Sequence, residues 1–533
     1  MKFRICMVAA ALVLAGCSSS DEPTNPDPSQ TGNPDNSNPE ETEEPDPGPQ
    51  PAEVINTEFF DTPLEVSVYP IQSDGQHALA QIDVAASSDG AGAEPLDLTW
   101  VFTRDGAQPS QGAEDLRLVD RAGAEIYTVA ADSAEQFAAS TDINALQVEP
   151  GGEPVSVYAY FEAPTIDSVD LDIPFLGYVP SVPVEDLGAE DEFTVTASDL
   201  DVGEDFSGEV FPLSVRSIDF DDVSDVSEEG DYVTWTLASD VLFDFGEHKL
   251  DKAAKKTIEK AIEEIKDIAL EGGEIHLVGH TDDQGSASFN QELSEKRAAS
   301  VQKVFEENFS GHTITSEGRG KSEPAVEGTS EEAREANRRV EIEFTAKEDA
   351  SVAKRGSGDE VPETDAPTVS GHEQLEFSPG VESATDTAGI SIASVTELDE
   401  DYLLGVIEVE VLAADPGGAA LSDLYADGGF TTGTGRTVSN YLEGNGTALL
   451  TIATGTSSLY PIEYVKEENE LGLDIYDIVG DPRPMGTYEQ GDVYRQFVLW
   501  PNPGSDTVTI EVPDRMRFAD VPVEQGAAEP SAE

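Results

Sequence analysis

The hydrophobic pattern of the chain is most regular between residues 232 and 346, where strand and helix periods alternate. Within this part, Ile258, Ile262 and Ile265 lie on one helical face, with lysines and glutamates opposite. Apolar, β-branched runs before, between and after the helices predict strands. The predicted elements are strand 232–245, helix 251–270, strand 274–278, helix 289–309, strand 312–318, helix 331–337 and strand 340–344. This βαβαβ order with an extra terminal strand predicts a central α/β module at 233–346, a mixed sheet covered by helices.

The sequence on either side of this module alternates with a period of two. Runs such as 64–68 and 405–411 place apolar residues at every second position, between turns rich in Gly, Pro, Asp and Ser. We therefore predict β-sandwich domains at 56–185 and 371–524, with an immunoglobulin-like sandwich as the favoured architecture. The predicted fold class is multidomain, a central α/β module flanked by two β-sandwich domains.

Two segments of the flanking domains look like copies of each other. Each contains an alternating run of three aliphatic residues that ends in proline, followed at the same distance by Val-Pro-Val. The copies are 169–184 and 508–523. Matched alternation and matched separation predict that 371–524 repeats 56–185.

Polar segments separate the predicted domains. Residues 18–53 contain neither a basic nor an aromatic residue and are rich in Pro, Asp and Glu. Such a composition predicts that 17–55 is a disordered, extended tether. We interpret 186–232 as a connector that lies against one neighbour, 347–370 as a linker and 525–533 as a disordered tail.

The N-terminus has a short basic start followed by an apolar run, 5–15, which is too short to span a bilayer. This run ends in Leu14-Ala15-Gly16-Cys17, and the whole pattern resembles a bacterial lipoprotein signal. The resemblance implies that 1–16 is a signal peptide and that Cys17 is lipidated. Because the only other cysteine, Cys6, lies within the signal, the mature chain has no disulfide to form.

The charge of the chain restricts its partners. Asp and Glu number 109 against 29 Lys and Arg, a net charge of −80. Nucleic acid is excluded as a partner, since phosphate binding requires a basic surface. Such acidity fits either a strongly solvated surface with acidic linkers or a protein from a saline or alkaline habitat.

One motif carries most of the chemical information. It is Gly279-His280-Thr281-Asp282-Asp283, followed by Asn290-x-x-Leu293-Ser294-x-x-Arg297-Ala298-x-x-Val301. The second part places Arg297 on a mostly apolar helix face, where an unpaired charge is costly. Asp282, at the end of the preceding strand, is the predicted partner. Across a groove, Asp282 could take the ammonium and Arg297 the carboxylate of a zwitterion. The alternative is an internal salt bridge that only holds the loop to the helix.

These residues resemble the OmpA-like peptidoglycan-binding family. The shared motifs are the G-H-T-D loop, the N-x-x-L-S-x-x-R-A-x-x-V helix and the N-R-R-V ending at 337–340, within about a fifth of the chain. In that family the Asp and the Arg hold the meso-diaminopimelate of a peptidoglycan stem peptide, which implies these roles for Asp282 and Arg297. The peptidoglycan-binding residues implied by the resemblance are Asp282, Arg297, Thr281, Asn290, Leu293, Ser294, Ala298 and Phe245.

The chain departs from the family pattern at two positions. Gly246 stands where relatives often carry Asp, and Asp283 stands where Asn is frequent. These departures leave the main pair intact and weaken the expectation for secondary contacts.

Neither catalysis nor metal binding is expected. A zinc site needs three ligands, and the 6 histidines include no second cluster near His280, for which we expect a backbone partner. The chain has no G-x-S-x-G elbow. Asp282 and Asp283 are adjacent at a strand end, so they point apart and are poorly placed to flank one glycosidic bond. We therefore predict a protein that is not an enzyme, with no cofactor and no metal.

The predicted function is a lipid-anchored envelope protein that binds peptidoglycan non-covalently and links the membrane to the cell wall. The anchor would lie in the outer membrane if the cell has one, and otherwise on the outer face of the cell membrane. The alternative is a surface adhesin or carbohydrate receptor, in which the β domains bind an unknown protein or glycan and the central module only attaches the protein to the wall.

Overall fold

A computed structural model describes residues 50–526, with gaps at 60–61, 89–94, 103–112, 135, 141–145, 189–190, 204, 221–222, 327, 348–349, 355–359, 379–386, 415–449, 469–473 and 481–487. The predicted signal peptide, Cys17 and most of the predicted tether lie outside the described residues. From Pro49 onward the chain forms one compact unit. Its first strand begins at Glu53, within the range predicted as tether.

The N-terminal β region is built from short strands with alternating burial. Its elements are β1 (Glu53–Phe59), β2 (Thr62–Val68), β3 (Ile71–Ser73), β4 (His77–Ala86), β5 (Leu96–Asp97), α1 (Thr99–Phe102), β6 (Arg117–Asp120), β7 (Glu125–Thr128), β8 (Ala131–Asp132), β9 (Gln147–Val148), β10 (Val155–Glu162), β11 (Ser168–Ile173), β12 (Gly177–Asp186), β13 (Phe206–Ser207) and β14 (Val210–Pro212). Ten strands form a sheet in the order β1-β2-β4-β3-β12-β11-β6-β7-β14, with β10 beside β4. Leu64, Val66 and Val68 of β2 are buried because every second side chain faces the core.

The central module has the predicted order of strands and helices, except that a short helix occupies 239–242, within the strand predicted at 232–245. After β15 (Ser214–Asp219) and β16 (Ser224–Glu229), its elements are β17 (Tyr232–Ala238), α2 (Ser239–Leu242), α3 (Lys252–Ile268), β18 (Glu274–His280), α4 (Ala287–Asn308), β19 (Thr313–Gly320), α5 (Glu331–Asn337) and β20 (Arg339–Thr345). The sheet is mixed, since β18 pairs with β19 in parallel and with β20 antiparallel. Helix α3 begins where the Asp251 side chain accepts a hydrogen bond from Ala254 N–H, and it buries Ile258, Ile262 and Ile265 as predicted.

The C-terminal β region repeats the short-strand architecture. Its strands are β21 (Thr368–Ser370), β22 (Leu375–Phe377), β23 (Thr387–Glu397), β24 (Tyr402–Ala413), β25 (Thr451–Ala453), β26 (Ser457–Leu459), β27 (Glu463–Glu468), β28 (Asp474–Ile478), β29 (Val493–Pro501), β30 (Thr507–Val512), β31 (Met516–Pro522) and β32 (Glu524–Gln525). One sheet runs β22-β23-β24-β29, with β32 beside β23. The layout of two separate β-sandwich domains, and their boundaries, stay predictions.

The central module shares a sheet with the C-terminal β region. Thirteen strands belong to this sheet, whose main path is β19-β18-β20-β17-β16-β15-β26-β25-β30-β31-β21. Strands β15 and β16 come from the predicted connector 186–232, and Ser217 of β15 pairs with Leu459 of β26. Polar residues that are buried in these strands, such as Arg216 and Asp225, hide their alternation from sequence analysis.

The predicted linker 347–370 is not a free spacer in its described part. Val352 is buried in the core of the central module, and its neighbour Ala353 is buried in the core of the C-terminal β region. Two consecutive buried residues thus attach the module to the β region through apolar contact.

The segments predicted to be copies form hairpins of equal geometry. In β11 and β12, Val169 pairs with Val182, and a bulge separates Val169 from Leu171. In β30 and β31, Val508 pairs with Val521, and a bulge separates Val508 from Ile510. Left-handed backbone conformations recur at corresponding positions, Phe175 and Ser181 in one hairpin and Asp514 and Asp520 in the other. The duplication of the whole domain stays a prediction.

A cleft of about 340 Å³ is lined by residues of both β regions, of the β15–β16 hairpin and of the segment 350–354, and Glu228 of β16 is one of them. The Glu228 carboxylate is only 9% exposed and accepts a hydrogen bond from Val352 N–H at 2.8 Å. Burial raises its pKa to about 7, with a further rise from Asp401 and a reduction from Lys354. The ionised form is therefore disfavoured in the folded chain.

We expect Glu228→Gln to stabilise the protein relative to wild type as the pH rises. Because the folded pKa exceeds the unfolded one, the stabilising contribution of protonated Glu228 is full below about pH 4.5 and lost by about pH 7. The free energy of unfolding of the variant, relative to wild type, should therefore increase by on the order of 2–3 kcal/mol between about pH 4.5 and about pH 7. Denaturant unfolding of both proteins at the two pH values measures this difference. Glu229→Gln, an exposed neighbour with the same charge change, is the control, and an equal gain in both variants would contradict the assignment.

Candidate functional site

The G-H-T-D motif spans the end of β18 and the loop that follows it, and hydrogen bonds hold this loop. Asp282 accepts a hydrogen bond at Oδ1 from Gln284 N–H, at 3.1 Å. The buried Asn290 side chain donates to the carbonyls of Asp282 and Gln284, at 3.2 and 2.9 Å. Lys321 donates to the carbonyls of Asp283 and Gly285. The Asp282 carboxylate is therefore presented by a loop whose backbone is bonded to helix α4 and to Lys321.

Helix α4 buries most of its predicted face against the sheet. Ser286 caps its N-terminus by accepting from Phe289 N–H, and the buried positions include Asn290, Ser294, Arg297 and Ala298. The other positions buried on this face are Val301, Val304 and Phe305.

Two glycines let α4 approach the strands closely. A Cβ at Gly279 would lie 2.4 Å from the Ser294 carbonyl oxygen, and one at Gly318 would lie 2.3 Å from Glu295 N. The Ser294 hydroxyl also accepts from Gly320 N–H at 2.9 Å. Ser294 and Ala298, which is fully buried at this contact, thus position the helix.

Arg297 is the unusual residue of the site. Its side chain is 3% exposed, its Nε donates to the Glu247 carbonyl at 3.1 Å, and its guanidinium lies over the Phe243 ring at 5.1 Å. Within the described residues no carboxylate lies at ion-pair distance from it. Burial lowers the pKa of Arg297, while the charges of Asp240 and Asp282 raise it.

The prediction that Asp282 pairs directly with Arg297 is wrong. Asp282 Oδ2 instead accepts from Arg338 Nη1 at 2.9 Å. Arg338 also donates to both Asp240 oxygens, at 2.8 to 3.0 Å, and to Glu331 at 3.2 Å. The reason is position, since Arg338 directly follows α5 and leads into β20, which pairs with β18 just before Asp282.

The other residues implied by the resemblance differ in their surroundings. Thr281 is buried, and its hydroxyl donates to the Asp282 carbonyl at 3.4 Å. Leu293 is half-buried on α4. Phe245 is 89% exposed after α2, so it is not packed with the others. The internal contacts of Asn290, Ser294 and Ala298 support the loop and helix, whereas Asp282 and Arg297 supply charge.

His280 has a different partner from the predicted backbone group. Its Nε2 lies 3.2 Å from Glu341 Oε2, and the side chain is buried. Burial by itself would raise the pKa of Glu341, but Arg339 and His280 hold it well below its usual range. His280 therefore belongs to a buried ionic group on β18 and β20.

Sequence analysis assigned no role to Arg338 and Asp240. Arg338 stands in the N-R-R-V ending, so that motif could have identified it. Asp240 carries no sequence signal, because only the turn of α2 brings it to Arg338.

Residues 242–338 match the model of the OmpA family. The module is an OmpA-family domain. Outer membrane protein A of Bordetella avium is 36% identical over 107 residues, which cover 20% of this chain and 54% of that protein. The outer-membrane lipoprotein YfiB of Pseudomonas aeruginosa is 35% identical over 107 residues, which cover 20% of this chain and 62% of that protein. The chain thus spans about half the length of the curated relatives it matches.

Solved structures also align with the OmpA domain. The cell wall anchor of the T6SS from P. aeruginosa shows 25% identity and a TM-score of 0.22, covering 24% of this chain and 89% of that chain. The peptidoglycan-associated lipoprotein from Burkholderia pseudomallei shows 21% identity and a TM-score of 0.16, covering 20% of this chain and 88% of that one.

Neither a metal-binding cluster nor a membrane-spanning helix is found among the described residues. Among them, no three His, Cys, Asp or Glu side chains are grouped so that they could hold a metal ion. None of their helices combines the length and the apolar character needed to cross a membrane.

We expect Gly279→Ala to destabilise the OmpA domain, because its Cβ would overlap the Ser294 carbonyl oxygen. The loss should be about 2 kcal/mol or more, since backbone must move to relieve the contact. Thermal unfolding measures this, with Gly203→Ala as the control because that position has open space. Equal stability of the two variants would contradict the close approach.

Proposed function

We propose that this protein binds peptidoglycan non-covalently through its OmpA domain, with the diaminopimelate of a stem peptide as the contacted group. The observation that carries the proposal is the state of Arg297, a buried guanidinium with no carboxylate partner among the described residues. A buried cation in this state is costly, so a ligand that brings an anion to it gains more than the same ligand would in water.

The geometry suits an amino acid zwitterion. Arg297 donates through Nε to Glu247, which leaves both terminal nitrogens without a carboxylate and able to form a two-pronged contact with one. Asp282 accepts one hydrogen bond at each oxygen, and a carboxylate has about four acceptor positions, so it can also accept from an ammonium. Diaminopimelate carries both groups on its distal carbon.

The pairing of the arginines around Asp282 points to Arg297 as the cation that a ligand can reach. Arg334 bonds Asp283 and Glu331, and Arg338 bonds Asp282, Asp240 and Glu331, so internal carboxylates offset both of these charges. Among the described residues, Arg297 has no such pair, so a ligand carboxylate can bind it without displacing an internal one.

The proposed activity is retention without hydrolysis. Asp282 is bonded to Arg338, and its neighbour Asp283 is bonded to the separate Arg334 at 2.7 Å. Both carboxylates are thus engaged by different arginines, which does not resemble an acid and base pair that flanks one glycosidic bond. Purified sacculi incubated with the protein should release no muropeptides.

We further propose that a lipid on Cys17 holds the protein in the cell envelope. The Leu14-Ala15-Gly16-Cys17 motif supports this anchor, and the similar proteins named above are an outer membrane protein and an outer-membrane lipoprotein. With one end in a membrane and the OmpA domain on peptidoglycan, the chain would link the two layers.

We expect Arg297→Ala and Asp282→Ala each to weaken wall binding by about a hundredfold or more, because each removes one charged contact from a buried site. Co-sedimentation with purified sacculi measures binding, and circular dichroism verifies the fold. Arg319→Ala, an arginine of the same domain bonded to exposed glutamates, is the control. Loss of the fold in the first two variants would favour a purely structural role for the pair.

Binding should also depend on wall chemistry. Walls with lysine or ornithine in place of diaminopimelate lack the distal carboxylate, so Arg297 would have no anion to bind. Retention on such walls should fall by at least about tenfold. Sedimentation of the wild-type protein with both kinds of sacculi gives the comparison, and equal retention would rule out the proposed contact.

A further inference from the structure

Arg338 bonds both of the carboxylates whose charges act on Arg297. Burial lowers the pKa of Arg297, and the charges of Asp240 and Asp282 oppose this lowering, so both carboxylates lie within electrostatic range of it. Each is nevertheless bonded to Arg338, at 2.9 Å for Asp282 and 2.8 Å for the shortest Asp240 contact. Among the described residues, Arg338 thus forms ion pairs with three carboxylates, whereas Arg297 forms none.

This distribution runs against the usual preference for pairing. Arg297 is the more buried of the two arginines, and a buried guanidinium gains most from a carboxylate. Without Arg338, an acidic side chain beside Arg297 would be expected to turn towards it. Asp282 is the candidate, since its side chain is 10% exposed and has little water to replace the lost bond. Asp240 is 44% exposed and can be solvated instead.

We propose that Arg338 is a positioning residue that keeps Asp282 from pairing with Arg297 and so keeps the Arg297 guanidinium open to a ligand carboxylate. This inference rests on the proposed function. It adds that the affinity for peptidoglycan depends on a residue that itself need not touch the ligand. It also explains why the two charges of the site remain separate although they lie close together.

Substitutions at Arg338 and Asp282, alone and combined, distinguish this role from a purely structural one. In Arg338→Gln, Asp282 pairs with Arg297, so the carboxylate contact and the ammonium contact are both lost. In the double variant R338Q/D282N, the neutral amide cannot form an ion pair, so Arg297 is open again. A second substitution at the site should therefore improve binding over the first.

The experiment is co-sedimentation of the full chain with diaminopimelate-containing sacculi. We expect R338Q to bind about tenfold or more weaker than D282N, and R338Q/D282N to recover to the level of D282N. Arg319→Gln, which removes an arginine bonded to two glutamates elsewhere in the domain, is the matched control and should bind like wild type.

Wall selectivity provides a second readout. R338Q should bind sacculi with lysine about as well as sacculi with diaminopimelate, because Asp282 blocks Arg297. In R338Q/D282N the preference for diaminopimelate sacculi should return. A purely structural role for Arg338 would leave the double variant no better than R338Q, and that result would overturn the proposal. Wild-type binding by R338Q would overturn it as well. If the wild-type chain and Arg297→Ala sediment alike, the proposed function fails instead.

Discussion

A buried charge needs an opposite charge, and this constraint organises the interior of an otherwise very acidic chain. Arg117, Arg216 and Arg517 are each more than nine-tenths buried, and each bonds a carboxylate within the protein. Arg339, which is also buried, bonds Glu341. Arg297 is buried as well, but among the described residues it contacts a carbonyl and an aromatic ring and bonds no carboxylate. Of these five buried arginines, four therefore have a carboxylate partner and one has none. That open position lies beside Asp282, in the OmpA domain, where a ligand can complete it.

The same pairing principle holds the β regions together. Arg117 bonds Asp172 of its own region and Asp477 of the C-terminal region, and Arg121 bonds Asp170 and Asp399 in the same way. Apolar residues from both regions also belong to one buried cluster. Since the OmpA domain shares a thirteen-stranded sheet with the C-terminal region, the proposed site has a defined orientation on the β regions. In the proposed function, the shared sheet, and not a flexible linker, would determine which side of the chain faces the wall.

Features whose cause is local are predictable from the sequence. The apolar spacing of α3 and α4 is one example, because residues close in the sequence determine it. The helix 331–337 was predicted with its observed bounds. The partner of Asp282 was predicted wrongly, since Arg338 and Asp240 meet only after α2, α5 and the sheet have assembled. Strands β15 and β16 were missed for a related reason. Arg216 of β15 donates hydrogen bonds to Asp225 of β16, and both residues are buried. The polar composition of these strands therefore resembled that of a connector.

Electrostatics at two ranges act in opposite directions on the proposed binding. A net charge of −80 repels an anionic wall polymer over distances that salt shortens, to about 10 Å at 0.1 M ionic strength. The contact with Arg297 is short and buried, and buried pairs are screened much less. Added salt should therefore weaken the repulsion between the chain and the wall more than it weakens the contact with Arg297. Binding through exposed lysines, in contrast, would become weaker as salt is added. The guanidinium of Arg297 is buried, and Arg338 keeps its acidic neighbours from pairing with it. This arrangement suits the binding of a carboxylate by a strongly acidic protein.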